Sequence, residues 1–491
     1  MMIPRIIFLL QFSTLIYLFT VYCFSSTDEE ATALLKWKAT FHNENNSLLA
    51  SWTLSTDACR DDWYGIICIN GRINRLNIAN VGVTGTLYDF PFSSLRFLEY
   101  VDLSMNQLFG PIPPELGKLT NLVHLNLSNN QISGSIPPHT GSLTKLETLS
   151  IFHNHLNGSI PSELGNLENL TDLRLSYNQL SGSIPITIGD LTELKILYLG
   201  LNNLSGPIPS EFGKLKHLTD LELSYNQLSG SIPITLGDLT EVKVMYLALN
   251  NIYGPIPSGL TKLKILYLYS NQLSGPIPSE LGNLKNLTHL DLSANQLSGS
   301  IQITLGDLTE LKILHLFSNQ LSGHIPSELG NMKNLTDLDL SANHLSGSIP
   351  ITLGGLTELK ILSLYSNQLS DPILSELGNL KNLTNLSLSH NQLSGSIPIT
   401  LGDLTQINRL SLQFNQFSGP TPSELGNLKN LTDLLLSHNQ FSGSIPITLG
   451  DLTELKLLYL YSNQLSGPIP SELGKCNKLT DLRIAKKQNW R

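Results

Sequence analysis

Leucine and isoleucine recur along most of this chain at fixed offsets, in a 24-residue unit that reads LxxLxLSxNxLSGxIPxxLGxLxx. Its copies begin at Ile73, Leu98, Leu122, Leu146, Leu170, Leu194, Leu218, Val242, Leu263, Leu287, Leu311, Leu335, Leu359, Leu383, Ile407, Leu431, Leu455 and Leu479. Within a copy the alternation LxL, as at Leu290 and Leu292, predicts a short strand with leucines on one side and variable residues on the other. The Gly-x-Ile-Pro stretch that follows is incompatible with a helix interior, because proline has no amide hydrogen and glycine favours turns. The chain therefore bends away and returns along an outer side. Ile277, Leu281 and Leu284 then point back into the same interior. One turn cannot cover its own leucines, whereas stacked turns can, so stability becomes a sum over nearest neighbours.

The decapeptide YSNQLSGPIP at Tyr269–Pro278 recurs letter for letter at Tyr461–Pro470, 192 residues on, which is eight periods of 24. Burial enforces that count: each stacked strand adds about 4.8 Å, and one inserted residue would turn leucines out of the core. The ninth position is Asn in sixteen copies, from Asn106 to Asn463. A side chain turned inward there must satisfy a carbonyl and an amide together, and Asn does so without charge. This predicts a ladder of Asn side chains bonded to main-chain groups of their own and the adjacent turn. A longer period overlies the short one, since copies alternate between NLTDLxLSxNQLSGSIPITLGDLTE and LKILYLxSNQLSGPIPSELGNLKN, a 48-residue double unit. The alternation fails once, where the copies at Val242 and Leu263 start 21 residues apart; the missing 27 equal 48 minus 21, which predicts a turn shortened on its outer side at Ser258–Leu260. Period and pattern together mark a leucine-rich-repeat solenoid.

Of 491 residues, 41% are hydrophobic and 14% charged, about half the usual charged share, so Asn, Ser, Thr and Gly cover much of the surface. A net charge of -9 without a Lys/Arg-rich run argues against nucleic acid or an anionic membrane surface as partner. Met1–Phe24 has Arg5, then IIFLLQFSTLIYLFTVYCF, then Ser25 and Ser26. That layout predicts a secretory signal cleaved near Ser25, in preference to an uncleaved anchor. No later segment approaches 18 uninterrupted apolar residues. Cys23 leaves with the signal, and Cys59 and Cys68, in CRDDWYGIIC, are expected to pair in an oxidising compartment. Zinc would need two further ligands that the segment lacks. Cys476 stands where Leu428 and Leu452 stand in other copies and reads as a buried apolar thiol. The organisation expected is a signal over 1–25, a cysteine-paired cap over 26–72, about 17 repeats over 73–478 and an incomplete last repeat over 479–491.

The repeat, with ATALLKWKATF, LLASW and CRDDWYGIIC before it, resembles the plant-specific class of leucine-rich repeats in receptor-like kinases and receptor-like proteins, over Asp28 to about Ile484. Within that family the likeness is to receptor kinases of immune and pollen-tube signalling. The resemblance implies an α/β fold: a right-handed superhelical horseshoe with a parallel β-sheet on its concave face, short 3-10 and loop segments outside, a second small sheet, and a helical N-terminal cap. It also implies an inner-face site for a secreted peptide or protein ligand, a leucine-rich-repeat co-receptor kinase, a cell-surface or apoplastic location, and a membrane helix leading to a kinase. The sequence shows no membrane span after the repeats, no Gly-rich loop or HRD motif and no second cysteine cap, and its last copy fails at Lys487 and Asn489. The expectation is an ectodomain truncated before its membrane and kinase parts. The alternative is a secreted inhibitor resembling the plant proteins that block microbial polygalacturonases, which are shorter and closed by a cysteine-bearing cap.

Positions 3, 5, 7 and 8 of each copy face the open side of the predicted sheet. Candidate ligand contacts there are Tyr198, Asp220, Glu222, Tyr246, Tyr267, Tyr269, Asp291, His315, Phe317, Asp339 and Tyr365, with Asp337, Tyr459 and Tyr461 on the same side. Exposed rings give contact area at low entropy cost and carboxylates select for positive charge, which suits an extended, partly basic peptide. The competing reading is tyrosine as an ordinary exposed strand residue copied by duplication. The 21-residue copy sets Tyr246 and Tyr267 on neighbouring turns, about 5 Å apart. The Arg-x-Arg with which family receptors clamp a peptide carboxylate does not occur; Arg174, Arg409 and Arg483 stand alone. Glycosylation sequons fall at Asn45, Asn126, Asn157, Asn169, Asn203, Asn286, Asn334, Asn382, Asn385 and Asn430. Asn169, Asn286, Asn334, Asn382 and Asn430 precede strands on one flank, while Asn126 and Asn385 project from the sheet face and bracket the aromatic cluster. His153 and His155 read as surface residues rather than a metal pair, with His155 in a turn. No Gly-x-Ser-x-Gly, HExxH or phosphate loop is present, so no catalytic group, metal or cofactor is expected.

Overall fold

The computed structural model describes residues 29–42, 47–61, 63–260 and 262–484. The signal segment with Cys23, the sequon at Asn45, and Lys487 and Asn489 lie outside the described residues. The chain divides into two compact units, Met1–Ser229 and Gly230–Arg491, both built from the same turn.

The first unit begins with a cap in which a helix through 29–38 and a 3-10 turn at Ser47–Ser51 precede an antiparallel pair, Ile66–Ile69 with Arg72–Asn77. Three indoles fill the cap, and each finds an acceptor. Trp37 Nε1 donates to the Thr86 carbonyl at 2.9 Å, Trp52 Nε1 to the Tyr64 carbonyl at 2.9 Å, and Trp63 Nε1 to Thr56 Oγ1 at 2.8 Å. A disulfide joins Cys59 to Cys68 with the Cα atoms 5.4 Å apart. Glu30, 1% exposed, is compensated where the cap meets the repeats, accepting from Arg72 Nε at 2.8 Å and the Ile73 amide at 2.9 Å. Arg72–Asn77 then starts a parallel main sheet that continues through Tyr100–Asp102, His124–Asn126, Thr148–Ser150, Asp172–Arg174 and Ile196–Tyr198 to Asp220–Glu222.

In the second unit the main sheet runs in parallel register from Val244–Tyr246 and Ile265–Tyr267 through His289–Asp291, Ile313–His315, Asp337–Asp339 and Ile361–Ser363 toward Asp481–Arg483. One turn shows how the pattern folds. Leu314 of the strand and Leu316 just after it are buried, and Ser318 adopts φ 54, swinging the chain into Asn319 and the second-sheet strand Gln320–His324. Gly323 takes φ 80, and Pro326 leads into a 3-10 turn at Ser327–Asn331 that returns Leu329 to the core. Parallel sheet, 3-10 turns and a cap helix make the α/β leucine-rich-repeat architecture expected from the pattern.

The Asn ladder is present. Asn319 Nδ2 donates to the carbonyls of Leu292 at 3.0 Å, Leu316 at 3.1 Å and Phe317 at 3.3 Å, while its Oδ1 accepts from the Leu297 amide at 3.0 Å. The short turn also falls where the count places it: its described residues hold no 3-10 segment, and the Ile252 amide meets Asn271 Oδ1 19 residues on instead of the usual 22. Cys476 is buried, with its thiol donating to the Leu449 carbonyl at 3.4 Å. Two features depart from the pattern. His155 begins the second-sheet strand His155–Gly158 rather than lying in a turn, because the ladder Asn before it feeds directly into that strand. The second sheet breaks between Gln368–Leu369 and Ser394–Gly395, which keep a single bridge from Pro372 to Ser394. There Asp371, φ 67, occupies the glycine position, so a side chain stands where other copies turn freely.

Candidate functional site

In the first unit, consecutive strands set Arg174, Tyr198 and Glu222 side by side. Arg174 grips Asp172 through Nε at 2.8 Å and Nη2 at 2.9 Å, a pairing that holds the guanidinium charged, and it lies 5.3 Å from the Tyr198 ring centroid. Glu222 folds back over Gly200: its carboxylate accepts from the Ser224 amide at 2.9 Å and Ser176 Oγ at 3.4 Å, and a Cβ on Gly200 would overlap it. Burial pushes the Glu222 carboxyl up. Asp220 accepts from Thr219 Oγ1 at 2.5 Å. The acids of this group are thus engaged within the sheet, and Gly200, at a position that is commonly Ser, is the departure that marks it in the sequence.

The second unit brings the larger group together. Tyr246, Tyr267, Asp291, His315 and Asp339 occupy one row of successive strands. Tyr246 and Tyr267 lie with ring centroids 5.1 Å apart. Tyr269 meets Tyr267 edge to face at 6.0 Å, and Phe317 meets His315 in the same manner at 5.9 Å. Burial pushes the Tyr267 phenol up. Asp291 Oδ1 accepts from the amide and hydroxyl of Ser293 at 2.9 and 2.5 Å, and Asp339 Oδ1 accepts from those of Ser341 at the same distances. Burial raises the Asp339 carboxyl, against these hydrogen bonds.

His315 is clamped between turns, with Nδ1 3.3 Å from Asp291 Oδ2 and Nε2 3.3 Å from Asp337 Oδ1. Burial alone would lower its pKa; the two carboxylates outweigh that and raise it to about 10, so the ring is an imidazolium at neutral pH. Asp291, Asp337, Asp339 and His315 therefore leave this face net acidic. Tyr365 stands beyond them, 38% exposed.

One cluster escaped the sequence reading. His390 stacks on Phe414 at 4.3 Å, Phe414 on His438 at 4.0 Å, and His438 meets Tyr461 edge to face at 5.0 Å. The signal was three aromatic residues in succession at the eighth position, where the backbone takes positive φ. Farther along, Tyr459 donates to Asp481 Oδ2 at 2.7 Å beneath Arg483. Among the sequons, Asn169, Asn286, Asn334, Asn382 and Asn430 are exposed, as are Asn157 and Asn203, whereas Asn126 and Asn385 are half-buried. Asn126 Oδ1 already accepts from Ser128 Oγ at 2.7 Å. No helix among the described residues is long and apolar enough to cross a membrane.

Residues 258–418 match the leucine-rich repeat region, 27–69 the leucine rich repeat N-terminal domain, and further leucine-rich repeat matches include 120–166 and 192–252. The MDIS1-interacting receptor like kinase 2 of Arabidopsis thaliana is 51% identical over 100 residues, a stretch that is 20% of this chain and 10% of that kinase. The crystal structure of a TDR receptor is 36% identical, with a TM-score of 0.75 over 78% of this chain and 67% of that one. The Arabidopsis receptor kinase HAESA, solved in complex with the peptide hormone IDA and the co-receptor SERK1, is 32% identical with a TM-score of 0.61, covering 93% of each chain.

Proposed function

We propose, from the premise that this chain belongs to the leucine-rich-repeat family of plant receptor ectodomains, that the open face of its second unit captures a secreted, extended and partly basic peptide. The observation that carries this reading is the row Tyr267, Asp291, His315 and Asp339 on successive strands, flanked by Tyr269, Phe317 and Tyr365. Rings supply area, the net negative charge selects cationic ligands, and the rigid sheet pre-organises both. By analogy with HAESA, a leucine-rich-repeat co-receptor kinase joins once the peptide is bound. The chain reaches the cell surface or apoplast by the secretory route, carries glycans on its exposed flank asparagines, and acts in signalling or defence by recognition rather than by catalysis.

Panning a displayed peptide library on the whole chain tests this. Selected peptides should lose binding to a Tyr267→Ser/Phe317→Ser/Tyr365→Ser variant that keeps the wild-type melting temperature. Peptides that bind both proteins alike would place recognition elsewhere.

A further inference from the structure

The face is corrugated with a period of two turns. Tyr267 and Tyr269 form one aromatic ridge, His315 and Phe317 the next, and Tyr365 a third. Between the first two lies a polar valley of Asp291 with Ser293, and between the second and third a valley of Asp339 with Ser341. Main-chain bonds hold these rows in step: the Ala294 amide donates to the Phe317 carbonyl at 2.9 Å, the Ser318 amide to that of Ser341 at 3.0 Å, and the Ala342 amide to that of Tyr365 at 2.9 Å. Ser293 is 1% exposed, so the valley floors lie below the ring edges.

Two strand spacings make the ridge-to-ridge distance about 9.4–9.8 Å. An extended β-strand lying along the stacking direction presents same-side residues about every 6.7 Å and its third residue on the opposite side, so it falls out of step. A polyproline II helix presents one face every three residues, about 9.3 Å, and keeps step over both valleys. With a cation at every third residue, one edge of such a helix enters each acidic valley, and the prolines on either side of that edge reach the flanking aromatic ridges.

We infer that this face selects a peptide in the polyproline II conformation with a basic side chain at every third residue. The inference rests on the peptide-capture reading above and adds to it a conformation and a register.

Two synthetic twelve-residue peptides of four lysines and eight prolines test it, one repeating Lys-Pro-Pro and one with its lysines in succession. Composition and net charge are shared, and the spacing of the lysines differs. Fluorescence anisotropy at fixed ionic strength should show the periodic peptide binding about tenfold tighter. Phe317→Ser should abolish that advantage. Equal affinities, an advantage that survives Phe317→Ser, or no binding of the periodic peptide overturns the register. If library-selected peptides still lose binding to the triple-serine variant, peptide capture stands without it. If they do not, peptide capture itself falls.

Discussion

Asn319 illustrates how much one side chain carries. It serves three carbonyls and one amide, drawn from its own turn and the turn before. Asn319→Ala strands those groups in the interior and should cost on the order of 1–3 kcal/mol, read as a lower melting temperature; an unchanged melt would remove the ladder from the account of stability. His315 makes a pH-dependent contribution. Its folded pKa, about 10, lies above the 6.5 ordinary for histidine, so the folded state binds the proton more tightly. The resulting stability is fully present below about pH 6.5 and is lost as pH rises through about 10. The urea midpoint of wild type relative to His315→Gln, which stays neutral, should therefore be greatest near pH 6 and shrink by pH 10.5. A difference constant across that window would mean the clamp is not ionic.

At the scale of the turn, the 48-residue alternation acquires a physical purpose. Thr304, Thr352 and Thr400 send their hydroxyls to the carbonyls of Ser279, Ser327 and Ser375 on the preceding turn, at 2.8, 2.6 and 2.8 Å. Lys285 faces Asp307 at 3.2 Å, and Lys381 faces Asp403 at 3.3 Å. Each contact is exposed and weak alone, but each joins one type of turn to the other, so the two types complement rather than duplicate one another. Gly330 is held small by the neighbouring turn, whose Thr352 backbone a Cβ would strike. Asp371 is the mismatch at this scale, a non-glycine residue at φ 67 ahead of a proline. Relief of that conformation in Asp371→Gly should stabilise the protein by about 0.5–1 kcal/mol, net of glycine's added chain entropy. A melting temperature that failed to rise would show the turn to be unstrained.

For the whole molecule, a core built turn on turn predicts that damage spreads by adjacency. Leu338 is fully buried, and Leu338→Ala should cost about 2–5 kcal/mol through the cavity it leaves. Amide exchange should accelerate most in the adjoining strands Ile313–His315 and Ile361–Ser363 and least toward Leu457–Tyr459. Uniform acceleration across the second unit would instead indicate all-or-none unfolding. Within the candidate face, counting residues sufficed to bring Tyr246 against Tyr267, because a periodic chain converts separation in sequence into distance. Counting did not reveal the stack of His390, Phe414 and His438, since its formation depends on the positive φ at the eighth position, which projects those rings into one column.

The spacing of leucine, asparagine and glycine by itself determined the stacked parallel strands, the direction of every core side chain, the Asn ladder and the shortened turn. Those features repeat one local requirement, burial with satisfied backbone, and a requirement that repeats is written into the period. Only the tertiary structure decided the condition of the polar groups on the open face: Glu222 folded over Gly200, Asp291 and Asp339 tied to their own serines, and His315 charged between two carboxylates. Each depends on contacts of about 3 Å, some between neighbouring turns, where burial and charge oppose one another. Periodicity places such groups in proximity, and the geometry of their contacts settles their protonation and what they leave open to a ligand.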